Sequence, residues 1–253
     1  MSTVEIVETE RVGHTLLIRM QREAKRNAID PAMTRALDAA FNELDDDPDL
    51  WVGVLTGTAR VFCAGSDLST TEPLVTERGG EYGLVRRRRS TPLIAAVEGI
   101  AYGGGFEVVL ACDLVVAAED ARFGLPEVRR GVIATSGALF RAPRALPGNV
   151  AREMLLVGEP MTAARMHEVG VVNRVVAPGA ALEQALALAA SLCEASPTSV
   201  RATLHALDAQ LVDDDAAGWA ATAAALQEVA TSQDLREGIA AFFEKRAPRW
   251  TNS

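Results

Sequence analysis

Histidine is scarce in this chain: three in 253 residues, His14, His167 and His205, far apart in sequence. No cluster of His, Cys and acid has metal-ligand spacing, so no metal is expected. The same scarcity leaves Cys63 without a histidine to activate it, and it reads as a packed, inert thiol. Ser66 and Ser136 lack the glycine pattern of a hydrolase elbow. Cysteines are also few and odd in number, Cys63, Cys112 and Cys193, which suits reduced thiols better than a disulfide framework. Basic charge is in deficit: the net charge is −9, which disfavours a nucleic-acid binder. An anionic ligand would therefore need local positive charge. No uncharged apolar run approaches the ~18 residues of a membrane span. Met1-Ser2-Thr3-Val4-Glu5 lacks the basic start and apolar stretch of a signal peptide, so a cytoplasmic protein is expected.

What the sequence does have is concentrated between Leu93 and Glu127. Leu93 to Val97 is short and apolar, bounded by Pro92 and Glu98-Gly99, and suits a strand buried on both faces. Gly103-Gly104-Gly105 follows, and then Phe106-Glu107-Val108-Val109-Leu110-Ala111, the first turns of a buried helix. The first N–H groups of a helix have no partner within it, so a glycine-lined helix start offers donors to a negative oxygen. That is half of an oxyanion hole. Glu107 lies in this apolar helix and Glu127 follows Phe123-Gly124-Leu125-Pro126. Carboxylates within apolar sequence need a reason. Taken singly, Glu107 could only complement the helix dipole and Glu127 only open a turn. A dinucleotide fingerprint fits poorly, because Val108 takes the place of its third glycine and Glu127 follows Pro126 instead of ending a strand.

Around this stretch the chain reads as α/β. Val4 to Thr9 and His14 to Met20 suggest a hairpin joined by Glu10 to Gly13. Asp30-Pro31 opens a helix with Met33, Leu37, Phe41 and Leu44 on one face, stopped near Asp45 to Pro48. Trp51 to Thr56 is the next strand. Ser69 to Tyr82 is polar and glycine-containing. Arg86 to Arg89, the one strong basic run, reads as a solvated helix end or as a contact for phosphate or an anionic partner. Asn149 to Val157 and Thr162 to Val169 suggest helices and Val171 to Val176 a strand. From Ala180 the chain is helical, with Leu182, Ala185, Leu186, Ala189 and Cys193 on one stripe and Pro197 starting another helix. Trp219 and Leu226 fall in a further helix. Gln233 to Lys245 forms the last, after a Thr231-to-Asp234 capping pattern.

Six blocks in order resemble the crotonase family, the enoyl-CoA hydratases and isomerases. They are Arg26-Asn27-Ala28, Phe62 to Leu68, Gly103 to Glu107, Ala111-Cys112-Asp113, Phe123 to Glu127, and Glu237-Gly238 through Glu244-Lys245-Arg246. The resemblance implies a spiral of repeated ββα units over residues 1–195, and a helical region over 196–253 that trimerises and completes the CoA site. It places the oxyanion hole at the N–H groups of Ser66 and Gly104, and the catalytic acids at Glu107 and Glu127. The same carry-over lets Lys25, Arg26, Ala28, Cys63, Ala64, Gly65, Ser66, Asp67, Leu68, Gly104 and Thr135 contact substrate or CoA. Tyr82 to Val85 would lie near the acyl pocket. Phe242 and Lys245 would reach a neighbour's CoA, although Lys245 reads equally as a solvated lysine paired with Glu244. The common pattern Pro-Gly-Ala-Gly-Gly-Thr-Gln-Arg-Leu after the second acid is altered: Thr135 and Ala138 replace glycines.

The resemblance implies a 2-enoyl-CoA hydratase of acyl-CoA and fatty-acid metabolism, a homotrimer or dimer of trimers, with CoA as part of the substrate and no separate cofactor. Two carboxyls sharing one water would titrate together and hold one proton near neutral pH. The rivals are an isomerase or specialised hydroxyacyl-CoA dehydratase on the same oxyanion hole, and a non-catalytic acyl-CoA binder. A binder gains nothing from burying two glutamates.

Overall fold

A computed structural model describes residues 5–251. Strands β1 (Val7–Val12) and β2 (Thr15–Met20) form the expected hairpin, with Val7 opposite Met20. The first strand runs further than its pattern suggested: Glu10 to Val12 pair with Leu17 to Thr15, and the turn is confined to Gly13 and His14. All of β1 beyond Val7 is exposed. A charged edge strand carries no apolar marker for its end. The expected start at Val4 lies outside the described residues. His14 stacks on Trp51 with ring centroids 3.6 Å apart, and its Nδ1 lies 2.7 Å from the Asp49 carbonyl oxygen.

Helix α1 (Pro31–Asp46) is capped as read, the Asp30 carboxylate accepting the Met33 N–H at 2.8 Å. Next come β3 (Val52–Thr56), a small hairpin of β4 (Val75–Thr76) and β5 (Gly80–Glu81), β6 (Leu93–Val97), β7 (Ile100–Tyr102) and α2 (Gly104–Leu110). β8 (Leu114–Ala118), β9 (Arg122–Gly124) and a 3₁₀ turn at Glu127–Arg130 lead to α3 (Ala138–Ala145) and α4 (Gly148–Val157). β10 (Met161–Thr162), α5 (Ala163–Glu168), β11 (Arg174–Val176) and α6 (Ala181–Cys193) follow, and then α7 (Pro197–Ala209), α8 (Val212–Ala230) and α9 (Gln233–Glu244). The cap of α9 is Ser232, whose hydroxyl accepts the Leu235 N–H at 3.1 Å, one residue beyond the expected Thr231.

The main sheet has the order β1-β2-β3-β6-β8-β11, parallel from β2 onward, and a second sheet has the order β10-β9-β7. The chain therefore repeats a unit of main-sheet strand, second-sheet strand and helical turn: β6-β7-α2, then β8-β9 and the Glu127–Arg130 turn. β3 and β6 are buried at every residue, as a parallel strand covered on both faces must be. One face packs Leu16, Ile18, Leu55, Leu93 and Ala95 with α1 and α2, while the other packs Leu17, Val54, Ile94 and Val116 beneath α6. The innermost line of α6 is Ala181, Ala185 and Ala189, and Leu182, Leu186 and Cys193 flank it half-buried. Buried Glu98 accepts the Gly179 and Ala181 N–H groups at the start of α6, 3.1 and 2.9 Å away.

The basic run is not the solvated helix end expected. Arg86 to Arg89 lie in a turn and extended chain, not at a helix end, and Arg87 and Arg89 are buried. Arg87 pairs with Asp38 at 2.5 Å and Asp45 at 2.9 Å on α1, and Arg89 pairs with Asp113 at 2.7 Å just before β8. Arg86 pairs with Glu81 and lies over the Trp219 ring. Three of the four arginines are therefore struts between elements, and their charge is already matched.

Candidate active site

The site is made where three chain segments meet at the ends of strands. In the second sheet β7 and β9 run parallel with Tyr102 beside Gly124, so the turns that leave both strands emerge side by side. The Gly103 N–H donates to the Gly124 oxygen at 2.9 Å, and Gly103 adopts φ 55, which turns the chain sharply into α2. Glu107 on α2 and Glu127 after β9 are thereby brought to one cavity. The third segment is Phe62 to Leu68, which follows β3. Cys63 bridges Ala101 in parallel, its N–H donating to Ile100 and its oxygen accepting from Tyr102. This seats Gly65 against the glycine turn: a Cβ on Gly65 would lie 2.8 Å from the Tyr102 oxygen and 3.2 Å from the Gly104 nitrogen. Only glycine permits that approach, which brings the Ser66 and Gly104 amides together. Among the described residues neither N–H donates to a protein acceptor.

A fourth segment, Arg22 to Ile29, ties this loop down. Fully buried Asn27 donates from Nδ2 to the Val61 and Phe62 oxygens at 2.9 and 3.0 Å. Ala64 N–H donates to Arg26, Ile29 N–H to Gly65, and Asp67 N–H back to Ile29. The Asp67 carboxylate is occupied by Ser69 and by Arg22 at 2.7 Å, which hold it at about 2, well below the usual range. Cys63 is a correction to the expected ligand contacts. Its side chain is wholly buried, its thiol donates to the Asn27 oxygen at 3.1 Å, and burial pushes it up to about 12. It holds the loop and does not line the cavity.

The cavity, of about 680 Å³, brings together Lys25, Arg26, Ala28, Ala64, Gly65, Ser66, Asp67, Leu68, Gly104, Glu107, Glu127 and Thr135 in its lining. Lys245 is absent from the lining: it ends α9 in the left-handed conformation at φ 55. Phe242 lines the cavity of its own chain, so α9 contributes here without any neighbour. It does so because α9 presses on the turn that carries Glu127. A Cβ on Gly238 would collide with the Arg130 oxygen, and one on Gly131 with the Asp234 oxygen. A second cavity, of about 870 Å³ between the arginine run and α7–α8, holds neither glutamate.

The two acids are held differently. Glu107 is fully buried, and its Oε1 accepts the Ser136 N–H at 2.7 Å and the Ala138 N–H at 3.1 Å, the donors that open α3. Burial, and then the nearby charge of Glu127, push it up to about 8 against the pull of those amides. Glu127 is pushed up to about 7, chiefly by burial, and its buried Oε2 accepts no hydrogen bond from any described residue. The segment that departs from the common family pattern, Ala134 to Ala138, is thus the one that grips Glu107. Sequence reasoning missed Arg130, Leu226, Val229 and Phe243, which also line the cavity, and it missed the Ser136 N–H that holds Glu107. Only Arg130 had a local signal, three residues after Glu127.

A ββα spiral that sets two free amides opposite two buried carboxyls defines the crotonase class of α/β proteins. The chain belongs to the enoyl-CoA hydratase/isomerase family, whose model matches residues 10–253. It is similar to an enoyl-CoA hydratase of Mycobacterium tuberculosis, 38% identical with the whole of both chains covered. A mevalonyl-coenzyme A hydratase of Aspergillus fumigatus is 39% identical over 95% of this chain and 92% of that protein. Among solved structures, a carnitinyl-CoA hydratase from Mycobacterium avium superposes with a TM-score of 0.93 at 40% identity, covering 99% of this chain and all of that one.

Proposed function

We propose that the chain is an enoyl-CoA hydratase, adding water across the 2,3 double bond of a 2-enoyl-CoA thioester. The observation that carries this reading is the pair of buried carboxyls facing one cavity beside two free amides. The Ser66 and Gly104 N–H groups donate to the thioester oxygen, whose negative charge grows as water attacks C3. One such donor is worth about 3 kcal/mol of barrier. Glu107 takes the proton from water: its Oε1 is fixed by two amides, which leaves Oε2 for the water. Glu127 gives the proton to C2, and burial, which raises the proton affinity of both carboxyls, keeps one proton on the pair. Water, two carboxyls and two amides supply every group this step requires.

The reverse direction is dehydration of a 3-hydroxyacyl-CoA. The names mevalonyl-coenzyme A hydratase and carnitinyl-CoA hydratase among similar proteins fit a specialised acyl group on the same chemistry. Lys25 and Arg26, exposed at the cavity mouth, supply the local positive charge that CoA phosphates need in an acidic protein. Exposed Leu207, Leu211 and Ile239 on the carboxy-terminal helices suit a homotrimer, and three free cysteines suit the cytoplasm. The test is the loss of enone absorbance when the protein meets crotonyl-CoA. Turnover with product 3-hydroxybutyryl-CoA supports the reading, and tight binding without turnover leaves only a binder.

A further inference from the structure

Arg141 stands behind the Glu107 wall, on the helix whose opening amides hold that carboxylate. It lies on α3 one turn beyond Gly137, and its N–H donates to the Gly137 oxygen at 2.9 Å. The guanidinium folds back over the same residue: a Cβ on Gly137 would lie 3.0 Å from Arg141 Nη1. Gly137 in turn sits between Ser136 and Ala138, the two residues whose N–H groups donate to Glu107. Carboxylate and guanidinium therefore contact one short piece of backbone, residues 136–138. Arg141 Nη2 donates to the Val85 oxygen at 2.8 Å and lies 3.8 Å from Asp215 Oδ2 on α8. Beside it, Phe140 fits over Gly218 of α8, where a Cβ would meet its ring, and packs edge-on against Trp219. The segment that holds Glu107 is thus clamped to the chain before β6 and to the carboxy-terminal helices.

The clamp alone does not account for an arginine. Asp215 already pairs with Arg144, and the Nη1 of Arg141 is buried without a hydrogen-bond partner among the described residues. A buried guanidinium with an unsatisfied nitrogen is costly, and arginine cannot shed its charge to escape that cost. What the charge can do there is favour the carboxylate form of the base across residue 137. Glu127 and Tyr82 are the other titratable groups about Glu107, and Asp215, Arg144 and Arg89 are the charged groups about Arg141. On the hydratase reading, we infer that Arg141 is a positioning residue for the base: it braces the Ser136 and Ala138 amides against Glu107 and sets a fixed positive charge behind the carboxylate that receives the proton from water.

The test is the pH profile of crotonyl-CoA hydration by the native protein, Arg141→Gln, Arg141→Lys and Asp215→Asn. Arg141→Gln is expected to lower kcat about 10-fold or more while KM stays within about 3-fold, the mark of an interaction that serves the chemical step. It should also move the acidic limb of kcat/KM, where the two glutamates take up their second proton, to higher pH, because the carboxylate has lost a favourable charge. Arg141→Lys should return the limb to its native pH and recover kcat only in part, since an ammonium lacks the fork that reaches Val85 and covers Gly137. Asp215→Asn keeps Arg141 and removes the acid that offsets its charge, so its limb should move the opposite way, to lower pH. A limb unmoved in Arg141→Gln overturns the inference and leaves Arg141 a clamp on a working hydratase. Should Arg141→Gln not fold, a limb unmoved or raised in Asp215→Asn overturns it equally. A native protein that binds crotonyl-CoA without turnover overturns this inference and the hydratase reading together.

Discussion

The two walls of the cavity are built in opposite ways. The Glu107 wall belongs to the core: every residue of α2 but Leu110 is buried, Glu107 has two amide partners, and Tyr82 bonds to Ser66 beside the start of α2. The Glu127 wall is a short turn backed by the tail, with an unpartnered carboxyl oxygen and with Phe242 and Phe243 partly exposed above it. One wall is fixed by hydrogen bonds and the other by the close approach of α9 to Arg130 and Gly131. A base must be aimed before the reaction starts. A proton donor needs less aiming, and burial alone raises the proton affinity of Glu127.

The largest effects should come from the acids themselves. Glu107→Gln and Glu127→Gln are each expected to cut kcat for crotonyl-CoA hydration by roughly 10²- to 10⁴-fold, with CoA-ester binding retained in calorimetry. A variant that keeps more than a tenth of native kcat would remove that glutamate from the chemistry. Gly238→Ala tests the other wall from outside the site. Its Cβ meets the Arg130 oxygen, so α9 must shift away from the turn, at a cost of about 1–3 kcal/mol and a fall in Tm of about 2–10 °C. Turnover should fall along with Tm. An unchanged Tm and rate would show that α9 is not what holds the Glu127 wall.

The Glu107 wall was the more legible in the sequence, for a physical reason. A glycine triplet between a buried strand and an apolar helix has few uses, and a glutamate inside that helix contradicts its surroundings. The hairpin, the Asp30 cap and the buried strands were legible from local pattern in the same way. What stayed hidden depends on contacts distant in sequence. Arg87 and Arg89 read as solvated because Asp38, Asp45 and Asp113 lie 24 or more residues away. Tyr82 comes from a segment with no periodicity, so the resemblance could place it near the acyl pocket but no local pattern showed that its phenol would cover the Gly104 Cα. The resemblance gave Phe242 to a neighbour's CoA site, and Leu226 and Val229 of α8 went unread, because a helix pattern shows which face is apolar and not what covers it.

Stability against pH sharpens the contrast further. An unfolded glutamate titrates near 4.3, whereas the folded chain holds these protons until about 7 to 8. Between those values the native state binds more protons than the unfolded state, so stability contributed by the pair is present at pH 5 and declines as pH rises to 8. Glu127→Gln, which cannot ionise, should flatten this decline and be more stable than native at pH 8, with little difference at pH 5. Denaturant midpoints at the two pH values measure it. A midpoint difference that grows towards acid would mean that Glu127 is ionised and paired in the folded chain.

The smallest expected effect is at the mouth, where Lys25 and Arg26 are exposed and neither wall holds them. Exposed charges act weakly and through solvent, about 0–1 kcal/mol each. Lys25→Ala and Arg26→Ala should therefore raise KM for a CoA thioester by no more than about 5-fold each and leave kcat close to native. The rise should shrink above roughly 0.5 M salt, where screening reaches within a few ångströms. A pantetheine thioester, which lacks the nucleotide phosphates, should show no such rise. If Lys25→Ala raises both KM values alike, the lysine acts by shaping the Arg22 to Ile29 segment, whose amides grip the Ser66 loop, and the mouth belongs structurally to the Glu107 wall after all.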